Sequence, residues 1–226
     1  MDRDHDISPD SPMRLLSLLI CAILLFVSLD PAWAQQRFPQ QSAYRDFEQA
    51  VAAAWRSVNS GFKLTHELEE KRKREIGSTS ELILAAKGTF QSSIFRIDQA
   101  EARSQLPRRT PYLELYIRAD NIRALSHYGL AYLACLQNDF VTAKRHISTG
   151  LQYVEDAYQR ALMPEEPDLA RHAHACAVIG ADLHALGMQI SDHEGNAKEK
   201  QRHEKRYHEL TREAKGHASF SEKTVE

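Results

Sequence analysis

Glycine and proline are scarce, at 9 and 8 in 226 residues, where average usage of about 12% would supply roughly 27. So few turn-formers cannot punctuate a many-stranded β fold, and helices become the default. Cysteine is rarer still, with three in the chain, which excludes a disulfide-stapled miniprotein. No charge of one sign dominates: 29 Lys+Arg stand against 31 Asp+Glu, so no net field draws the chain to nucleic acid or to an anionic membrane surface. Also missing are a nucleophile elbow, a P-loop, a dinucleotide fingerprint, a CxxC redox pair and a CxxCH haem site, and no catalytic residue set stands out. No cofactor is implied. The 42% hydrophobic content is enough for one real core.

What is present begins with an address. Leu15 to Leu29 form an almost unbroken apolar run, preceded by Arg14 and followed by Pro31-Ala32-Trp33-Ala34, the tripartite plan of a secretory signal peptide with small residues Ala32 and Ala34 at the cleavage site. A run of about 15 residues falls short of the roughly 20 that span a bilayer. Residues 1–34 therefore read as a signal peptide, and translation from Met13 would remove the acidic stretch that precedes it. The expected location is periplasmic or secreted, with membrane attachment through residues 15–29 as the alternative if the segment stays uncleaved. Cys21 lies in this run behind Leu18-Leu19-Ile20, where a lipoprotein signal needs a small residue, so it reads as one more apolar side chain.

After a polar leader at 35–42, apolar residues recur at three- and four-residue steps. Phe47, Val51, Ala54 and Val58 start a first helix that continues toward Ile76, with Gly61 as a kink or break. Ser80 N-caps a second helix carrying Ile83, Phe90, Ile94 and Ile97. Thr110-Pro111 is a cap-and-first-turn pair for a third, with Leu115, Ala119, Ile122, Leu125, Gly129 and Tyr132 on one face. Asn138-Asp139 turns the chain into a fourth helix bearing Phe140, Ala143, Ile147, Leu151 and Val154. The two prolines of residues 163–167 mark a loop, and Cys176, Ile179, Leu183, Leu186 and Ile190 trace a fifth helix. The fold class is all-α, with antiparallel helical hairpins forming a bundle or a short solenoid. One helical domain is expected over 43–190, then a charged helix over 191–215, solvent-exposed or docked at one end, and a disordered tail over 216–226.

The pattern Leu125, Tyr128, Gly129, Tyr132, Asp139, Phe140, Ala143, Ile147, Gly150, Leu151, within residues 122–151, resembles a tetratricopeptide-repeat helix pair, in which a small residue lets two helices approach closely. No second copy lies a 34-residue step away. The resemblance implies a solenoid-like module that binds a protein or peptide partner, with Tyr128, Tyr132 and Tyr153 as candidates for the contact surface.

Other constellations reduce to helix geometry. His172 and Cys176 lie about 40° apart on one helix and are the candidate metal ligands, while His174 points about 160° away from both. This pair carries the alternative reading, a metal- or ligand-binding helix bundle. His203 and His208 sit about 140° apart, too far round the helix to share a zinc. Glu67, Glu69 and Glu70 precede Lys71, Lys73 and Arg74 at the four-residue step, so that charge run reads as an internally paired, solvated face. Cys135 and Cys176 leave one bridge open, provided their Cα atoms come within about 7 Å.

Overall fold

The computed structural model describes residues 41–74, 79–164 and 167–223; the signal segment with Cys21 and residues 35–40 of the leader lie outside them, while Gln41 and Ser42, placed in the leader, open the first helix. The described residues contain no strand, and the chain is all-α: α1 (Gln41–Lys73), α2 (Ser80–Ser104), α3 (Leu113–Leu136), α4 (Phe140–Ala161), a short 3₁₀ turn at Pro167–His172, α5 (Ala173–His193) and α6 (Ala197–Lys223).

The helices pair in chain order, α1 with α2, α3 with α4 and α5 with α6, and successive pairs join through α2 on α3 and α4 on α5. Within each pair the chain runs antiparallel: Asp120 meets Arg160 near one end of the α3–α4 pair, and His127 meets His146 nearer the turn. Apolar stripes drive the pairing. Phe47, Val51, Ala54, Val58, Phe62 and Leu68 on α1, Phe90 and Ile97 on α2, and Ile147 and Val154 on α4 are all buried in one continuous core, each large side chain contributing about 1.5–3 kcal/mol of transfer free energy.

Phe90 explains two glycines. A Cβ at Gly61 would lie 2.6 Å from its ring, and one at Gly129 would lie 2.3 Å from it. The ring is wedged between the backbones of α1 and α3, and only glycine leaves it room. Gly61 is therefore not the expected kink, and α1 is continuous through it.

Four helices surround α3, namely α1, α2, α4 and α5. The amphipathic stripe read from sequence accordingly understates its burial, since the polar Arg118, Asp120, Asn121, Arg123 and Ser126 are buried along with the apolar face. The helix starts at Leu113, so Thr110-Pro111 belongs to the preceding turn and does not open the helix.

The turns of the second and third pairs are built alike. Asn138 and Gly195 take left-handed backbone at φ 59° and 69°, where Asn and Gly carry the least penalty. The residue after each caps the next helix: Asp139 accepts from the Thr142 amide at 3.0 Å, and Asn196 from the Glu199 amide at 3.2 Å. All of these positions differ by 57 residues. The joints follow the same step, because Ser126 of α3 donates to Ser93 of α2 at 3.2 Å while Leu183 of α5 sits 3.1 Å from where a Cβ on Gly150 of α4 would be.

Two expected boundaries move. The boundary placed after residue 190 falls at the turn of residues 194–196, as α5 runs to His193, and the charged helix packs back along α5, with Leu210 against Gly180 and His174 Nδ1 2.9 Å from the Ala214 carbonyl. Helix α6 reaches Lys223, so residues 216–223 continue it where a disordered tail was expected.

Candidate functional site

Asp120 is fully buried on α3, and three guanidiniums converge on its carboxylate. Arg160 of α4 donates at 2.7 Å, Arg123 one turn along α3 at 2.8 Å, and Arg108 of the α2–α3 connection at 3.4 Å. Arg123 extends the network to α2, donating to Glu101 at 2.6 Å and to Asp98 at 2.8 Å. Burial lifts the Asp120 carboxyl above the usual aspartate value against the pull of Arg108, Arg123 and Arg160. Burial also works to raise Glu101, but the hydrogen bonds from Arg123 and Arg108 outweigh it and hold that carboxyl below its usual range. Three cations facing Asp98, Glu101 and Asp120 compensate one another, so the cluster ties α2, α3 and α4 together and leaves no charge over for an ion or substrate.

A groove of about 540 Å³ runs between α4 and α6. Gln152, Glu155 and Tyr158 of α4 face Arg202, Lys205, Arg206 and Glu209 of α6, with His184 of α5 in the lining. Arg206 is held by Glu209 at 3.0 Å and Glu155 at 3.6 Å. Arg202 and Lys205 make no ion pair among the described residues and leave the lining with cationic character. The set contains no activated nucleophile and suits recognition of a polar or acidic chain.

Beside this groove stands one of two facing imidazole pairs. His184 of α5 and His203 of α6 approach Nδ1 to Nδ1 at 2.8 Å, and His127 of α3 and His146 of α4 at 3.0 Å. Burial pushes His127 and His184 down to about 4, and the facing imidazole adds to it; burial also lowers His146 and His203. Sequence reasoning missed both pairs. The one available signal is the dipeptide Arg145-His146, which recurs as Arg202-His203.

The structure disperses the residues singled out from sequence. Tyr128 packs on Phe62 with centroids 6.2 Å apart. Tyr132 donates to Glu69 at 2.6 Å, and burial, followed by this bond, pushes its hydroxyl pKa up. Tyr153 stacks on His127 at 5.9 Å and lies 5.4 Å below the Arg123 guanidinium. All three are partly buried and engaged within the fold, Tyr128 and Tyr132 against α1 and Tyr153 against α3.

His172 and Cys176 are separated by their partners: His172 Nε2 lies 3.4 Å from Glu114, whereas Cys176 Sγ donates to Asn121 at 3.3 Å. No group of three or more His, Cys, Asp or Glu placed to hold a metal occurs among the described residues.

Cys135 and Cys176 are free and buried. Cys176 sits against Asn121, and Cys135 lies fourteen residues further along α3, about 21 Å at 1.5 Å per residue. The open bridge between them is thereby corrected, because a disulfide needs Cα atoms within about 7 Å. Burial pushes both thiols up to about 12.

The charge run behaves much as read. Lys71 pairs with Glu67 at 3.2 Å and Arg74 with Glu70 at 3.5 Å, while Lys73 takes Glu70 instead of Glu69. Glu69 is engaged by Tyr132.

Over 96 residues the chain is 33% identical to a homoserine kinase of Deinococcus radiodurans, a match that takes in 42% of this chain and 28% of that protein. The chain thus corresponds to under a third of that protein's length. No family model and no solved structure matches.

Proposed function

We propose that this chain is an exported helical interaction module, a short tetratricopeptide-like solenoid whose groove between α4 and α6 holds an extended acidic segment of a protein partner in the cell envelope. The observation that carries the reading is the 57-residue step. Equivalent turns, caps and joints recur from one helix pair to the next, as expected of stacked units that bury each other's open faces and line a common surface. Arg202 and Lys205 supply the charge complementarity for carboxylates, and the exposed Gln152 can hydrogen-bond a peptide backbone. The signal-peptide plan of residues 1–34 supports the compartment. Among the described residues no helix is long and apolar enough to cross a membrane.

Two measurements test this. Intact mass and N-terminal sequencing from the native host should find a chain starting at Gln35; a start at Met1 or Met13 defeats export with cleavage. A photo-crosslinker at Gln152 should then give an envelope adduct that is absent from the same probe at exposed Arg56 and lost when Arg202 and Lys205 are reversed to glutamate. Equal labelling from both positions refutes the groove.

A further inference from the structure

The second and third helix pairs keep little sequence in common, yet His127 and His184 stand 57 residues apart, as do His146 and His203. Each pair bridges the two helices of its own hairpin. The places are built for the rings: a Cβ on Gly187 would lie 2.6 Å from the His203 ring, so that imidazole lies flat on bare α5 backbone, and Tyr153 stacks on His127 with planes 16° apart.

At 2.8–3.0 Å between Nδ1 atoms, the only hydrogen bond available has one imidazole donating Nδ1–H to the bare Nδ1 of the other. The donor keeps a free Nε2 lone pair and the acceptor carries its proton on Nε2. One added proton goes to the donor's Nε2 and leaves the bond intact. A second has only the acceptor's Nδ1, and two Nδ1–H groups then point at each other across 3 Å. A pair of imidazoliums is therefore incompatible with the closed geometry. Two imidazoles also fall short of the three or four protein ligands of a zinc-type site, and the surrounding charge does not favour a dication. Around the first pair stand Arg123 of α3, Arg145 of α4, Asp139 at its cap and Lys87 of α2. Around the second stand Arg202, Arg206, Glu199 and Glu209 of α6 and Lys144 of α4. Cations outnumber carboxylates at both.

We propose that the two histidine pairs are matched acid-released clasps, closed by one imidazole–imidazole hydrogen bond each at neutral pH and forced open, α3 from α4 and α5 from α6, when acid adds protons that the facing Nδ1 atoms cannot both hold. Because His184 lines the α4–α6 groove, release of the second clasp reshapes that surface. The proposal stands on the pairs themselves and survives if the groove proves to bind nothing.

The test uses the full chain. Imidazole ¹⁵N resonances followed from pH 7.5 to 3.5 report protonation, and hydrogen exchange with mass spectrometry reports opening of each hairpin. Asparagine places an amide close to where Nδ1 stood and does not titrate, so the variants are His127→Asn with His146→Asn, His184→Asn with His203→Asn, and all four together. In the unsubstituted chain each pair should take a first proton with its hairpin still protected, and the second, well below the usual 6.5, only together with loss of protection in that hairpin. Each double variant should keep only its own hairpin closed, with its opening midpoint lower by about one pH unit. Carboxylates such as Asp120 contribute to acid unfolding equally in all the chains and cancel in the comparison. Four imidazoles titrating independently near 6.5 in a chain that stays closed overturn the proposal. So does a fourfold variant that is folded at pH 7 and opens at the same pH as the unsubstituted chain. If the fourfold variant does not fold, the imidazole titration of the unsubstituted chain decides alone.

Discussion

Substituting Asp120 by asparagine tests whether the charged network or the apolar stripes hold α2, α3 and α4 in register. The side chain has no exposed surface and accepts from three arginines at 2.7, 2.8 and 3.4 Å. Asparagine preserves shape but removes the charge and turns one acceptor into a donor facing guanidinium. Arg123, itself only 4% exposed, keeps Asp98 and Glu101. Arg160 keeps only Asp156, at 3.6 Å and 65% exposed. One cation in a buried cluster thus loses its compensation, a change that costs about 3–5 kcal/mol, a large share of the 5–15 kcal/mol by which domains are stable. Taking the lower figure, the melting temperature of a chain this size should fall by about 6–12 °C. Asp156→Asn is the control, since its solvent-exposed pairing is worth no more than about 0.5 kcal/mol. Urea unfolding followed by far-ultraviolet circular dichroism measures both. An Asp120→Asn chain within about 0.5 kcal/mol of the unsubstituted protein would refute the reasoning and leave the network as a passive occupant of an apolar joint.

Two further outcomes follow from the packing. Gly129→Ala should cost about 1–3 kcal/mol, because its Cβ would sit 2.3 Å from the Phe90 ring, whereas Gly88→Ala, with nothing within 4 Å, should stabilise by about 0.5–1 kcal/mol through helix propensity; thermal melts of the two variants check the opposite signs. Cys135 and Cys176, buried and with thiols pushed up to about 12, should react with a maleimide only slowly in the folded protein at pH 7 and both react in urea, with the same thiol count before and after reduction.

The legible parts of the fold are those where a local rule decides alone. Asp139 is a cap in the sequence and in the structure, since a short acidic side chain before an apolar period has one good use. The stripe of α2 places Phe90 and Ile97 in the core for the same reason. Where several helices share the decision, the local signal misleads. The polar residues of α3 point outward on any amphipathic wheel, but four neighbours enclose that helix, and the partners that make burial tolerable lie 22 and 40 residues away, as with Glu101 for Arg123 and Arg160 for Asp120. Helix α6 was half legible: its run of charges reads as solvent-exposed or docked at one end, and Leu210 and Ala214 form a narrow stripe that suffices for docking once Gly180 and Gly187 let it lie close to α5. The histidine pairs were the least legible, because an imidazole has no preferred partner in sequence and each pair spans 19 residues across a turn. What exposes them is a relation between hairpins. Histidines at the same register in two hairpins of otherwise different sequence meet the same surroundings in both, and the one contact that all four share is the imidazole facing them.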